Sequence, residues 1–110
     1  MYKIKKTFTI SASHQLKLNY ESPCSKMHGH NWTITVYCRR SELDQNGMVV
    51  DFGLIKKLVT DKFDHASLNE KLDCNPTAEH LAQWIAENVP FCYKADVEEA
   101  PGSLATYEEE

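Results

Sequence analysis

Met27-His28-Gly29-His30-Asn31-Trp32-Thr33-Ile34-Thr35-Val36-Tyr37-Cys38-Arg39 is the stretch that decides the fold. Trp32, Ile34, Val36 and Cys38 share one parity, while Asn31, Thr33, Thr35, Tyr37 and Arg39 share the other. Side chains alternate across a strand, so the pattern predicts a half-buried β-strand, with His28 and His30 on the parity of its buried face. The N-terminal segment reads the same way. Tyr2, Ile4, Phe8, Ile10 and Ala12 alternate with Lys3, Lys5, Thr7, Thr9, Ser11 and Ser13; Lys6 is the one break, and His14 continues the apolar parity. Residues 17–27, with Asn19, Glu21, Ser22, Pro23 and Ser25, form a polar loop. Antiparallel pairing sets the end of the first strand beside the start of the second. His14, His28 and His30 then meet at one end of one hairpin.

Asp44-Gln45-Asn46-Gly47 predicts a turn. Beyond it Val50, Phe52, Ile55, Leu58, Val59 and Phe63 recur at helical spacing, with Lys56, Lys57, Asp61 and Lys62 for the outer face and Asp51 as a cap. Asn75-Pro76-Thr77 opens a second helix, capped by Asn75 or Thr77, with Ala78, Leu81, Ala82, Trp84 and Ile85 as its apolar side. Pro90 stops it. Phe91, Tyr93, Ala95 and Val97 then alternate with Cys92, Lys94 and Asp96 as a third strand, with Glu99 on its apolar parity. Pro101-Gly102 turns the chain into a weak fourth strand over residues 103–107, before the acidic Glu108-Glu109-Glu110. The order ββααββ predicts an α+β domain spanning residues 1–110, an antiparallel four-stranded sheet with two helices on one face. Uncovered edges and an uncovered sheet face predict a homo-oligomer.

Composition narrows the function. A chain of 110 residues, 42% hydrophobic and 25% charged, suits one globular domain. No apolar run is long enough to cross a bilayer, and no apolar h-region follows Met1-Tyr2-Lys3-Ile4-Lys5-Lys6. A formal charge of -4 argues against nucleic acid as a partner. Cys24, Cys38, Cys74 and Cys92 form no Cys-x-x-Cys pair. They read as reduced thiols in a cytoplasm, with Cys38 in the core.

Three histidines on converging inward positions each need a buried partner, and one metal ion satisfies all three. Zinc suits three imidazoles better than iron, copper or nickel, and three protein ligands leave a position open for chemistry. Cys24 is then a fourth ligand that closes the site, a thiol acidified by the ion, or an inert loop cysteine. Asp64-His65 can form a proton-handling pair, although from the residues alone a helix C-terminal cap is favoured. A carboxylate on a buried strand face, as at Glu99, either turns outward at a frayed end or binds adjacent N–H donors such as a guanidine-like edge.

In order along the chain, these residues resemble the family of 6-pyruvoyltetrahydropterin and 6-carboxytetrahydropterin synthases, which has the tunnelling fold (T-fold). The resemblance rests on His14-Gln15-Leu16, Cys24-x-x-x-His28-Gly29-His30, Val50-Asp51-Phe52-Gly53, Phe63-Asp64-His65 with Leu68-Asn69, Asn75-Pro76-Thr77-x-Glu79, and Glu99-x-Pro101-x-Ser103-x-Ala105-x-Tyr107. His80, Ala100, Gly102 and Leu104 depart from the family's pattern. The resemblance implies that His14, His28 and His30 hold zinc, that Cys24 is the thiolate base, and that Asp64 and His65 form a second proton-transfer pair from a neighbouring subunit. It implies that Glu99 anchors a pterin through its 2-amino and N3–H edge, with Thr77 and Glu79 as secondary contacts. The family's assembly implies a homohexamer, a dimer of trimers closing a barrel. The three residues between Cys24 and His28 resemble the branch that forms 6-carboxytetrahydropterin from 7,8-dihydroneopterin triphosphate for queuosine and deazapurine synthesis; the alternatives are pyruvoyl formation or dihydroneopterin side-chain cleavage on the same residues, and a non-catalytic zinc- or pterin-binding module.

Overall fold

The computed structural model describes all residues, 1–110. Two 13-residue strands, β1 (Tyr2–His14) and β2 (His28–Arg40), pair antiparallel in the expected register, which sets Ala12 opposite His30 and His14 opposite His28. Strand β4 (Cys92–Ala100) pairs with β2, and β5 (Ser103–Glu108) pairs with β4. The even-numbered positions of β1 and β2 face the core, where Ile10, Trp32, Ile34, Val36 and Cys38 are almost wholly buried.

Helix α1 (Phe52–Phe63) buries Ile55, Val59 and Phe63, and Asp51 caps it by accepting the Gly53 N–H at 2.7 Å. Helix α3 (Ala78–Asn88) buries Ala78, Leu81, Ala82 and Ile85. Thr77 is its cap, accepting the His80 N–H at 3.2 Å. Such caps contribute about 1 kcal/mol each. Pro76 therefore lies just outside the helix rather than in its first turn. At the turn, Asp44 accepts backbone N–H groups from Met48 and Asn46, which hold its carboxyl below the usual carboxylate range. Gly47 takes the positive φ of 76° that closes this turn.

Three features depart from the sequence expectation. The sheet has five strands, in the order β3-β1-β2-β4-β5, because Ala66–Ser67 (β3) pairs parallel with Ala12 and Ser13. A two-residue strand carries too little alternation to be read. A single helical turn, α2 (Leu68–Lys71), buries Leu68 and follows β3 directly. In the third predicted strand the register shifts by one residue at Tyr93, so Cys92 is buried opposite Cys38 while Phe91 is exposed with φ 61°. The bulge inverts the predicted parity of Phe91, Cys92 and Tyr93, and parity returns at Ala95 and Val97.

The outer edge of β1 pairs with another strand only at Ala12 and Ser13, and β5 is the opposite edge of the sheet. No helix is long and apolar enough to cross a membrane.

Candidate active site

The hairpin end places the three histidines on a floor of Trp32. Its indole N–H donates to the Ala12 carbonyl at 3.0 Å, and its ring lies edge-on to His14 and His30, with centroids 4.9 and 5.4 Å away. His14 is fully buried. The imidazoles converge: His14 Nε2 and His28 Nε2 are 3.0 Å apart, and ligating atoms of His14, His28, His30 and Glu99 all lie within 4.8 Å of one another.

The hydrogen bonds behind the rings fix the chemistry in front. His14 Nδ1 lies 2.7 Å from the Pro76 carbonyl, and His28 Nδ1 lies 2.7 Å from the Lys26 carbonyl. A carbonyl only accepts, so both Nδ1 atoms carry the proton and both Nε2 atoms present lone pairs in the neutral rings. Two such acceptors 3.0 Å apart repel unless a proton or a cation satisfies them both. His30 Nε2 is buried without a properly aligned hydrogen bond, although Glu99 Oε1 lies 2.8 Å away. Burial holds the His30 imidazole below its ordinary pKa, Glu99 pulls the other way, and the facing His14 and His28 rings push it further down. His14 and His28, with inward lone pairs and backbone-anchored outer nitrogens, and the buried Nε2 of His30 facing them fit a divalent transition metal.

Glu99 belongs to this ring. Its Oε1 is 3.2 Å from His14 Nε2, and at 26% exposure the side chain borders solvent. The register of β4 against β5 shifts at Glu99 itself, which is left unpaired between Glu98, opposite Leu104, and Ala100, opposite Ser103. The carboxylate therefore faces the imidazoles at the mouth of the cluster, the inward alternative for an acidic residue on this parity.

Cys24 lies in a 3-10 turn (Pro23–Ser25), half-buried, and stands outside the group of four converging ligand atoms. The turn is tied to β1 by the Leu16 N–H donating to the Cys24 carbonyl at 3.0 Å and Gln15 Nε2 donating to the Ser25 carbonyl at 2.8 Å.

Asp64 and His65 sit at the edge of β1, against Ser11. Asp64 is the C-cap of α1, and its Oδ1 accepts the Ser11 N–H at 2.9 Å. His65 has φ 58° and donates its N–H to the Ser11 carbonyl at 2.6 Å. Its imidazole is 83% exposed, with Nε2 3.7 Å from Asp64 Oδ2. It lines an open groove of about 550 Å³ with Ser11, Ser13, His30, Asn31 and Ser67, where the buried Ser67 hydroxyl has no hydrogen-bond partner. Neither Asp64 nor His65 belongs to the converging ligand group, although His65 shares this groove with His30. Thr77 is occupied as the α3 cap, and Glu79 is exposed in the first turn of α3.

Sequence reasoning missed what two asparagines do. Asn69 accepts the Gln15 N–H and donates to the Gln15 carbonyl, both at 2.8 Å. Asn75 does the same at Lys17, at 2.9 and 3.0 Å, and leaves the capping of α3 to Thr77. Their amides act as strand partners for the segment after His14. The only sequence signal was an asparagine in each of the Leu68-Asn69 and Asn75-Pro76 dipeptides.

The family model for 6-pyruvoyl tetrahydropterin synthase matches residues 3–110. The chain belongs to that family. It is 32% identical to the 6-carboxy-5,6,7,8-tetrahydropterin synthase of Bacillus subtilis, over 96% of this chain and 84% of that protein. It is 33% identical to the dihydroneopterin monophosphate aldolase of Pyrococcus furiosus, over 81% of this chain and 75% of that one. The 6-pyruvoyl tetrahydropterin synthase of Caenorhabditis elegans superposes with a TM-score of 0.76 at 28% identity, covering 99% of this chain and 96% of that structure. The Plasmodium falciparum 6-pyruvoyl tetrahydropterin synthase, at 15% identity and a TM-score of 0.67, shares the fold, which is the T-fold expected from the sequence.

Proposed function

We propose that the protein is a zinc-dependent 6-carboxy-5,6,7,8-tetrahydropterin synthase. It converts 7,8-dihydroneopterin triphosphate and water to 6-carboxy-5,6,7,8-tetrahydropterin, acetaldehyde and triphosphate, in the cytoplasmic supply of queuosine and 7-deazapurine precursors. The observation that carries the reading is the 32% identity, across nearly the whole chain, to a protein of that name. The convergence of His14, His28 and His30 supports it.

His14, His28 and His30 would hold the ion, which when bound supplies Lewis acidity to the hydroxyls of the substrate side chain. Cys24 is the base that takes a proton from the side-chain carbon next to the pterin ring. Its place outside the ligand group supports that role over a fourth-ligand role. Asp64 orients His65, which returns protons to the side chain from a neighbouring subunit of a homohexamer. The exposure of His65 supports that arrangement. Glu99 accepts from the pterin 2-amino and N3–H groups, a two-point contact that fits a carboxylate at the mouth of the ring. Thr77 and Glu79 contribute secondary contacts from the start of α3.

The likeness to an aldolase favours a second reading on the same residues. Cleavage of the first side-chain carbon-carbon bond of dihydroneopterin monophosphate would leave a 6-hydroxymethyl pterin and release glycolaldehyde phosphate. Incubation with each pterin phosphate, followed by mass spectrometry, separates the two. Acetaldehyde and 6-carboxytetrahydropterin are expected from the triphosphate; a hydroxymethyl product without acetaldehyde overturns the synthase reading. Cys24→Ala tests whether the site is catalytic at all. Zinc retained with turnover lost is expected, and zinc lost with the thiol would make Cys24 a ligand of a closed site.

A further inference from the structure

The ring of His14 is buried, and its outer nitrogen is anchored on a residue 62 positions away, the carbonyl of Pro76. That carbonyl is held on both sides. Ahead of it, Asn75 grips the backbone of Lys17 through two hydrogen bonds, 2.9 and 3.0 Å long. The Asn75 carbonyl is itself pinned, accepting the Thr77 N–H at 2.8 Å and the His80 Nδ1–H at 2.6 Å. Proline fixes its own φ and holds the residue before it out of the helical region, so little freedom remains between Asn75 and the Pro76 oxygen. Behind it, Thr77 starts α3 as the cap. The Pro76 carbonyl thus has a fixed position relative to the chain only three residues beyond His14.

We propose that Asn75, braced by His80, is a positioning residue for the metal ring. It fixes the Pro76 carbonyl so that His14 keeps its proton on Nδ1 and directs the Nε2 lone pair at the centre. The inference rests on the metal-site reading above. Asn69 supplies the natural control. It makes the same two hydrogen bonds to the same segment, at Gln15, but is not bonded to the proline. A role confined to pinning the segment after β1 would belong equally to both asparagines. Orientation of the His14 ring belongs to Asn75.

The test is zinc affinity, measured on full-length protein by competition with a chromophoric chelator, alongside the thermal midpoint of the metal-free form. Loss of a group that orients a ligand typically weakens metal binding about 10- to 100-fold. Asn75→Ala is expected to raise the zinc dissociation constant by roughly that factor, and Asn69→Ala by less than about threefold, with similar drops in metal-free midpoint. Nitrogen-15 NMR of the metal-free proteins should show His14 shifting from the Nδ1–H tautomer to a mixture in Asn75→Ala only. If Asn75→Ala does not fold, His80→Ala, which removes one brace, should weaken zinc binding severalfold. Equal losses in the two asparagine variants, or an unchanged affinity in Asn75→Ala or His80→Ala, overturn the inference. Wild-type protein that binds no stoichiometric zinc overturns the metal-site reading instead.

Discussion

Two inactive variants should restore each other. Cys24 lies on the loop after β1, and Asp64 and the 83%-exposed His65 sit at the outer edge of β1; none of the three offers an atom to the converging ligand group of its own chain. If one catalytic centre uses all of them, Cys24 comes from one subunit and Asp64-His65 from another. Cys24→Ala removes the base and Asp64→Asn removes the carboxylate behind His65. Each is expected to lose about 10²- to 10⁴-fold in turnover, the usual worth of a positioned acid or base. Asp64→Asn should still fold, because an amide Oδ1 can accept the Ser11 N–H that the carboxylate accepts at 2.9 Å. Losing the charge on that bond costs about 1 kcal/mol, a fall of roughly 4 °C in Tm for a domain of this size.

In oligomers reassembled from equal amounts of the two variants, half of the sites draw an intact Cys24. Half of those meet a partner with an intact Asp64, so about a quarter of sites are whole in a symmetric oligomer. The assay is product formation from 7,8-dihydroneopterin triphosphate after joint unfolding and refolding, compared with each variant refolded alone. Recovery near one quarter of wild-type turnover is expected. A mixture no more active than its two components would refute the shared-site argument and require Asp64-His65 to act within its own chain or not at all.

Other outcomes follow from the same geometry. Zinc at about 100 times its dissociation constant should stabilise the metal-free protein by roughly 2.7 kcal/mol, raising Tm by about 10 °C; a chelator should reverse this, and no shift in a melting scan would count against the ring as a metal site. Tyr37 donates to Asp96 Oδ2 at 2.8 Å, and this bond, with burial and the Asp96 charge, raises its phenol above the ordinary value. The folded state then holds the Tyr37 proton at a pH where the unfolded chain has lost it, so this contribution to stability is complete below pH 10 and lost as pH rises through the folded value. In an alkaline absorbance titration one step should fall above the ordinary tyrosine range, and Tyr37→Phe should delete it. Towards a thiol reagent in native protein, exposed Cys74 should react fast and half-buried Cys24 more slowly. Cys38, whose thiol is pushed up by its hydrogen bond with Cys92 and by burial, should react only on unfolding; four thiols titrating in the native state would contradict the paired core.

The parts of the site that were legible in sequence are those fixed by strand parity. His14, His28 and His30 lie on two regular strands whose even positions are apolar, and antiparallel pairing leaves one place where they can meet. Nothing comparable marks the bulge at Tyr93, because one inserted residue reverses parity without changing composition, and so Cys92 gave no sign of being core. Nor can local pattern show the asparagine clamps, since an amide gripping backbone more than 50 residues away leaves the same letters as one in a loop. The consequence is specific to this site. Parity places three imidazoles at one end of a hairpin, but whether they present lone pairs or N–H groups to its centre depends on which outer nitrogens face carbonyls. His28 takes its carbonyl from Lys26, two residues away, while His14 depends on Pro76, 62 residues away. The ligand set is therefore local information, and the His14 tautomer that makes it a ligand set is supplied by the tertiary fold.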